Sequence, residues 1–177
     1  MKYVLLLRGI NVGGKNKVSM AEFKEMILHL GYTNVISYIN SGNIIFDTSD
    51  SIETINQNIS TILNTYPFKI IKVILSQSEY LEELENLPNW WFNDLYRKDV
   101  LFYTNEIDYS LMRARIKQMP LQDEAVHFGK YAVFWGKYNE TSYLKTSYHK
   151  YLIKESFYKS ITIRNSRTFE KIADLLK

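Results

Sequence analysis

Residues 3–46, YVLLLRGINVGGKNKVSMAEFKEMILHLGYTNVISYINSGNIIF, hold the pattern that decides the fold. Residues 3–7 are a continuous apolar run, as in a central strand buried on both faces. Gly9, Gly13 and Gly14 interrupt that run. Ser19 followed by Glu22 is a capping box, and Met20, Phe23, Met26, Ile27 and Leu30 recur at helical spacing until Gly31 closes the element. Residues 35–39 and 44–46 are β-rich, and Ser41-Gly42 between them predicts a two-residue hairpin. Strand, glycine-rich loop, helix and hairpin thus follow in order.

Working outward, Ile52, Ile55, Ile59, Ile62 and Leu63 predict a second helix ending before Pro67, and residues 70–75 a fourth strand. The order β-α-β-β-α-β is the split β-α-β, ferredoxin-like unit. The second half repeats it, with strand 100–103, helix 111–119, a hairpin of 125–128 and 132–135 around Gly129-Lys130, helix 144–153 and strand 161–163. A last amphipathic helix carries Phe169, Ile172, Ala173, Leu175 and Leu176. The expected class is α+β: two ferredoxin-like halves with antiparallel sheets and a closing C-terminal helix. The expected division is residues 1–87, a linker 88–98 preceded by a helix around 80–87, and residues 99–177.

Composition narrows the function classes. The chain has 177 residues, 46% of them hydrophobic, no cysteine and a formal net charge of +3. The lack of cysteine removes disulfides, thiolate metal sites and a cysteine nucleophile, and agrees with a reducing, cytoplasmic setting. No apolar run approaches the ~18 residues of a membrane helix. The first residues lead straight into a strand rather than a signal peptide, so no membrane partner is expected. Residues 1–88 carry 7 basic and 9 acidic side chains, residues 89–177 carry 15 and 10. The overall charge therefore hides a basic second half, which can serve an anionic partner or merely be a solvated face.

Residues 8–17, RGINVGGKNK, place three glycines and three cations, without an acid, between a strand and a helix start. Arg8, Lys15 and Lys17 supply full charges, while Gly9, Gly13 and Gly14 let backbone N–H groups approach an anion. Gly9 to Lys15 satisfies G-x-x-x-x-G-K, but position 16 is Asn where a phosphate-binding loop of that type needs Ser or Thr for magnesium. The helix also begins too late, at Ser19, and Asp47 is expected at the opposite edge of the sheet. A nucleoside-triphosphatase reading therefore fails. In a split β-α-β unit the first two strands run parallel, so the loop and Asn40-Ser41-Gly42-Asn43 should emerge at one edge as neighbours. Such an edge, with Asn11, Asn40, Ser41 and Asn43, offers polar groups for a small anionic or nucleotide-like ligand; the same residues also suit ordinary turns.

Three motifs, RGINVGGKNKVSM, YINSGNIIF and SITIRNSRTFEKIADLL, resemble the bacterial family catalogued as domain of unknown function 1697. The resemblance implies two ferredoxin-like halves and a cytosolic bacterial protein, and brings no established activity, substrate or cofactor. By position, its motif residues are Arg8, Gly9, Asn11, Gly13 and Gly14, then Ser41, Gly42 and Asn43, then Arg164 and Asn165. The family does not require lysine at position 15.

Other residues offer alternatives. Arg164, closing a strand, could pair a carboxylate or phosphate, or tie neighbouring loops together, with Ser166 as N-cap of the last helix. Residues 137–159 interleave Tyr138, Tyr143, Tyr148, Tyr151, Phe157 and Tyr158 with Lys145, His149, Lys150 and Lys154, a mixture suited to single-stranded nucleic acid. Helical spacing instead places Leu144, Tyr148, Tyr151 and Leu152 on one buried face, which weakens that reading. Trp90-Trp91-Phe92 would mark a partner surface if exposed. His29, His127 and His149 lack metal-ligand spacing, so neither a metal nor a cofactor is expected. No catalytic triad, zinc motif or paired carboxylates are present to carry enzyme chemistry.

Overall fold

The computed structural model describes residues 1–177. Its first sheet has the strand order β2-β3-β1-β4, formed by β1 (Lys2–Arg8), β2 (Thr33–Tyr38), β3 (Asn43–Asp47) and β4 (Ile71–Ser76). β1 pairs antiparallel with both β3 and β4. Helices α1 (Met20–His29) and α2 (Ile52–Leu63) complete the β-α-β-β-α-β order. Tyr3, Leu5 and Leu7 on one face of β1 join Phe23, Ile27, Ile55 and Ile59 in a core. Val4 and Leu6 on the other face are also fully buried, which explains the unbroken apolar run.

The second sheet, β6-β7-β5-β8, repeats that order with β5 (Arg97–Tyr103), β6 (Glu124–Phe128), β7 (Ala132–Lys137) and β8 (Ile161–Asn165). α4 (Tyr109–Lys117) fills the place of α1, its Met112 and Ile116 packed on Leu101, Val133 and Trp135. The place of α2 is filled differently. The helix expected over 144–153 is replaced by 3-10 turns at Tyr143–Lys145, Leu152–Lys154 and Ser156–Ser160 around a four-residue helix, α5 (Ser147–Lys150). Its predicted apolar face breaks up as well: Tyr148 and Leu152 are buried, Leu144 and Tyr151 are exposed.

The cause is charge beneath the segment. Lys137 and Asp99 are fully buried and paired, and the Lys137 ammonium lies 3.5 Å from the Tyr148 ring centroid. Glu124 accepts hydrogen bonds from Ser147 N at 2.6 Å, Tyr148 N at 3.3 Å and Trp135 Nε1 at 2.8 Å. Bonds to a fixed carboxylate start the helical turn at Ser147 rather than at Leu144, where the spacing predicts it.

The chain divides into two compact units, Met1–Leu81 with Ile172–Lys177, and Glu82–Lys171. The division falls within α3 (Gln77–Glu85) and within α6 (Ser166–Leu176). Residues 88–98, expected as a linker, lie inside the second unit. There Trp91 is buried edge-on against Phe134 at 5.4 Å and Phe169 at 5.8 Å, and its Nε1 donates to Glu170 at 2.9 Å. Phe92 beside it is exposed. The three-ring motif is thus anchored in a core, which counts against it as a partner surface. No helix is long and apolar enough to cross a membrane.

Candidate functional site

Residues 9–17 leave the end of β1 and fold into a small tongue. Val12 and Lys15 form an isolated antiparallel bridge, with Lys15 N donating to Val12 O at 3.0 Å. Gly13 and Gly14 between them have φ of +57° and +74°, the signature of a type I′ turn, which only glycine adopts at both positions without strain. The glycine pair therefore builds a hairpin tip. Asn11 N donates to Asn16 O at 3.0 Å, and Asn16 Nδ2 to Gly9 O at 2.8 Å, closing the tongue at its base.

Asn11 then fixes the tongue to its surroundings. Its Nδ2 donates to Val18 O at 2.9 Å and to Asn40 O at 2.8 Å, and its Oδ1 accepts from Val18 N at 2.9 Å. The loop and the β2–β3 turn are neighbours, as strand direction requires. Asp47 pairs with Lys2 at the far end of β1, as expected. The turn itself spans four residues, 39–42, rather than the two expected, with Ile39 at φ +50° and Gly42 at φ +82°. Leu7 N donates to Gly42 O at 2.8 Å, drawing the turn against β1. Asn43 is buried, its Nδ2 donating to Tyr38 O at 2.9 Å and Ser41 Oγ at 3.0 Å. Asn11 and Asn43 thus shape the site by satisfying backbone and turn groups.

What they shape is an open depression of about 660 Å³ lined by Asn11, Gly14, Lys17, Ser19, Met20 and Asn40 among others. It lies at the start of α1. Ser19 caps that helix, its Oγ accepting from Glu22 N at 3.3 Å. Met20 and Ala21, which also line the depression, carry backbone N–H groups that helix geometry leaves without an intrahelical acceptor. Aligned peptide dipoles add roughly half a positive charge there, and the exposed Lys17 adds a full one. The arrangement offers donors and positive charge around an open hollow whose lining is part polar, part apolar.

Of the residues expected to form a site, Asn11, Gly14 and Lys17 line the depression. Gly9, Gly13, Lys15 and Ser41 are exposed nearby, and Gly42 and Asn43 support it from beneath. Arg8 is half-buried at the end of β1. Arg164 and Asn165 belong to the second unit. Arg164 is buried, donating to Thr162 Oγ1 and Ile163 O at 2.9 Å each. Asn165, rather than Ser166, caps α6, its Oδ1 accepting from Thr168 N at 2.9 Å. Sequence reasoning missed Ser19, Met20 and Ala21, and also Val18, as lining residues. The capping box signals the helix start, and so could have pointed to the first three.

A family model described as "Protein of unknown function (DUF1697)" matches residues 1–134. That span contains the first two motifs, and the third, at 160–176, lies beyond it. The structure of a conserved bacterial protein, SP0830 from Streptococcus pneumoniae, is similar over 99% of this chain and 98% of that one, with 51% identity and a TM-score of 0.94. No curated protein matches. Both the matched span and the shared double ferredoxin-like architecture place the sequence in one group: the chain belongs to the DUF1697 family of proteins of unknown function.

Proposed function

We propose that this protein binds a small anionic, nucleotide-like ligand in the depression between the 9–17 tongue and the N-terminus of α1. We take the setting to be the cytoplasm of a bacterium, from the absence of cysteine and the kinship with the streptococcal protein. One observation carries the reading: Lys17, the Gly14 backbone and the first turn of α1 line the same hollow. Anions are favoured at such a helix end because unpaired N–H groups and the dipole act together. The tongue is held by its own hydrogen bonds, so little ordering cost falls on binding. The ligand requires no metal and no reaction in this reading.

The test is a thermal-shift and calorimetric series with inorganic phosphate, pyrophosphate and nucleoside monophosphates. A ligand present a hundredfold above its Kd stabilises by about 2.7 kcal/mol. Lys17→Gln should weaken binding by roughly tenfold, the worth of one charged hydrogen bond, with the unliganded melting temperature unchanged. Absence of any shift in the wild type, or equal shifts in wild type and variant, would overturn the proposal.

A further inference from the structure

Residues 141–154, TSYLKTSYHKYLIK, include Lys145, Lys150 and Lys154 and no acid. All three lysines are exposed. Because the segment is built of short turns, two large side chains that one helix face would have hidden stand open, Leu144 at 74% exposed and Tyr151 at 46%, and Ile153 beside them is 41% exposed. The open surface extends beyond the segment. Tyr96 is 46% and Tyr138 42% exposed, and Tyr96 N donates to Tyr138 O at 3.3 Å. The Tyr96 ring meets the Tyr143 ring edge-on at 5.3 Å, the Arg97 guanidinium lies 5.9 Å from Tyr143, and Tyr143 meets His149 at 4.3 Å. Tyr151 N donates to Ser147 O at 2.9 Å, one turn away. Tyr96, Tyr138, Tyr143, His149 and Arg97 thus cluster within the second unit, and the exposed lysines and Tyr151 stand on the short turns that carry Tyr143 and His149.

We propose that this patch binds single-stranded nucleic acid, with the exposed tyrosines stacking on bases and Lys145, Lys150 and Lys154 meeting phosphates. Each of the three open tyrosines is about half covered by protein, which leaves side-chain surface open to a base. A phosphodiester chain matches the acid-free run of lysines by charge. A duplex is a poorer fit, since the four-residue α5 is too short to occupy a groove. A lipid surface is also poorer: the patch holds no amphipathic helix, and three of its five large exposed groups are rings with polar hydroxyls. The proposal uses none of the residues of the anion depression and stands apart from it.

The test is fluorescence anisotropy of the full chain with labelled oligothymidylate and oligouridylate of about 12 nucleotides, between about 50 and 200 mM salt. Binding should weaken as salt rises. The triple variant Lys145→Gln, Lys150→Gln, Lys154→Gln should lower the slope of log K against log salt by about 2, at about 0.7 per lost phosphate contact. Tyr151→Ala and Tyr138→Ala should each weaken binding roughly fivefold or more and leave the slope unchanged. All the altered side chains are at the surface, and an unchanged thermal melt confirms folding. No binding at the lower salt, full binding in both classes of variant, equal affinity for a duplex, or binding to phosphatidylserine vesicles without oligonucleotide binding would each overturn the proposal.

Discussion

Gly42 is the residue through which the β2–β3 turn reaches β1. A Cβ built there would stand 2.6 Å from Leu7 Cβ and 2.9 Å from Ile10 Cδ1, and its φ of +82° is left-handed. Leu7 Cβ moves only with its backbone, and Ile10 Cδ1, the end of its side chain, is packed in the core. Gly42→Ala should therefore cost about 2–4 kcal/mol in chemical denaturation, from strain and overpacking together. Gly14→Ala is the control, because nothing lies within 4 Å of its Cβ position and only the φ of +74° opposes the change. Its expected cost is about 1–2 kcal/mol. Asn11→Ala removes three hydrogen bonds that fasten the tongue, and about 2–3 kcal/mol should follow. At this scale the sequence misleads in a definite way. Asn11 and Asn43 carry the groups a ligand would want, but an asparagine amide bonds a nearby backbone as readily as a ligand, and only the fold decides between them.

Among the elements, the contrast lies between α2 and the segment that stands in its place. α2 was legible because Ile55, Ile59 and Ile62 repeat at helical spacing; the structure adds its cap, Ser51, whose Oγ accepts from Thr54 N at 3.2 Å, and ends it at Leu63. Residues 144–153 show a similar spacing, and the structure breaks it, because the pattern carries no trace of the buried Lys137, Asp99 and Glu124 that the segment must cover. Those charges come from β5, β6 and β7, up to 50 residues earlier in the chain. Periodicity reports whether a side is apolar, and a carboxylate that draws Ser147 N and Tyr148 N is a tertiary fact. The depression is legible to the same extent: strand direction brings loop and turn together, whereas the four-residue turn and the I′ hairpin rest on φ values. Short 3-10 turns share few cooperative bonds, so amides 143–160 should exchange faster than those of Ile52–Leu63. Glu124→Gln should raise exchange at Ser147 and Tyr148 and cost about 1.5–3 kcal/mol.

For the whole molecule, the buried charges set how stability follows pH. Burial pushes the Lys137 ammonium down to about 8, against the support of Asp99 beside it. The unfolded lysine holds its proton to about 10.4, so between these values the unfolded chain binds more protons than the folded one. Stability must therefore rise with pH across that window, by up to about 1.4 kcal/mol per unit for this one group. The tyrosines act in the opposite sense. Burial raises Tyr103, Tyr109 and Tyr148 above their ordinary value of 10.0, so the unfolded chain loses those protons first and stability falls above that pH. Below neutrality His149 adds a third limb, since burial lowers it and the unfolded imidazole charges first, so stability falls as pH drops through about 6.5. Denaturation measured from pH 5 to 11 should thus climb, climb again above 8 and turn over near 10. Lys137→Met should abolish the climb between 8 and 10 and shrink the acid limb, because the Lys137 charge adds to burial in holding His149 down, while Asp99 stays paired to Arg97 at 2.9 Å. A climb that survives in the variant would show that a group other than Lys137 produces it.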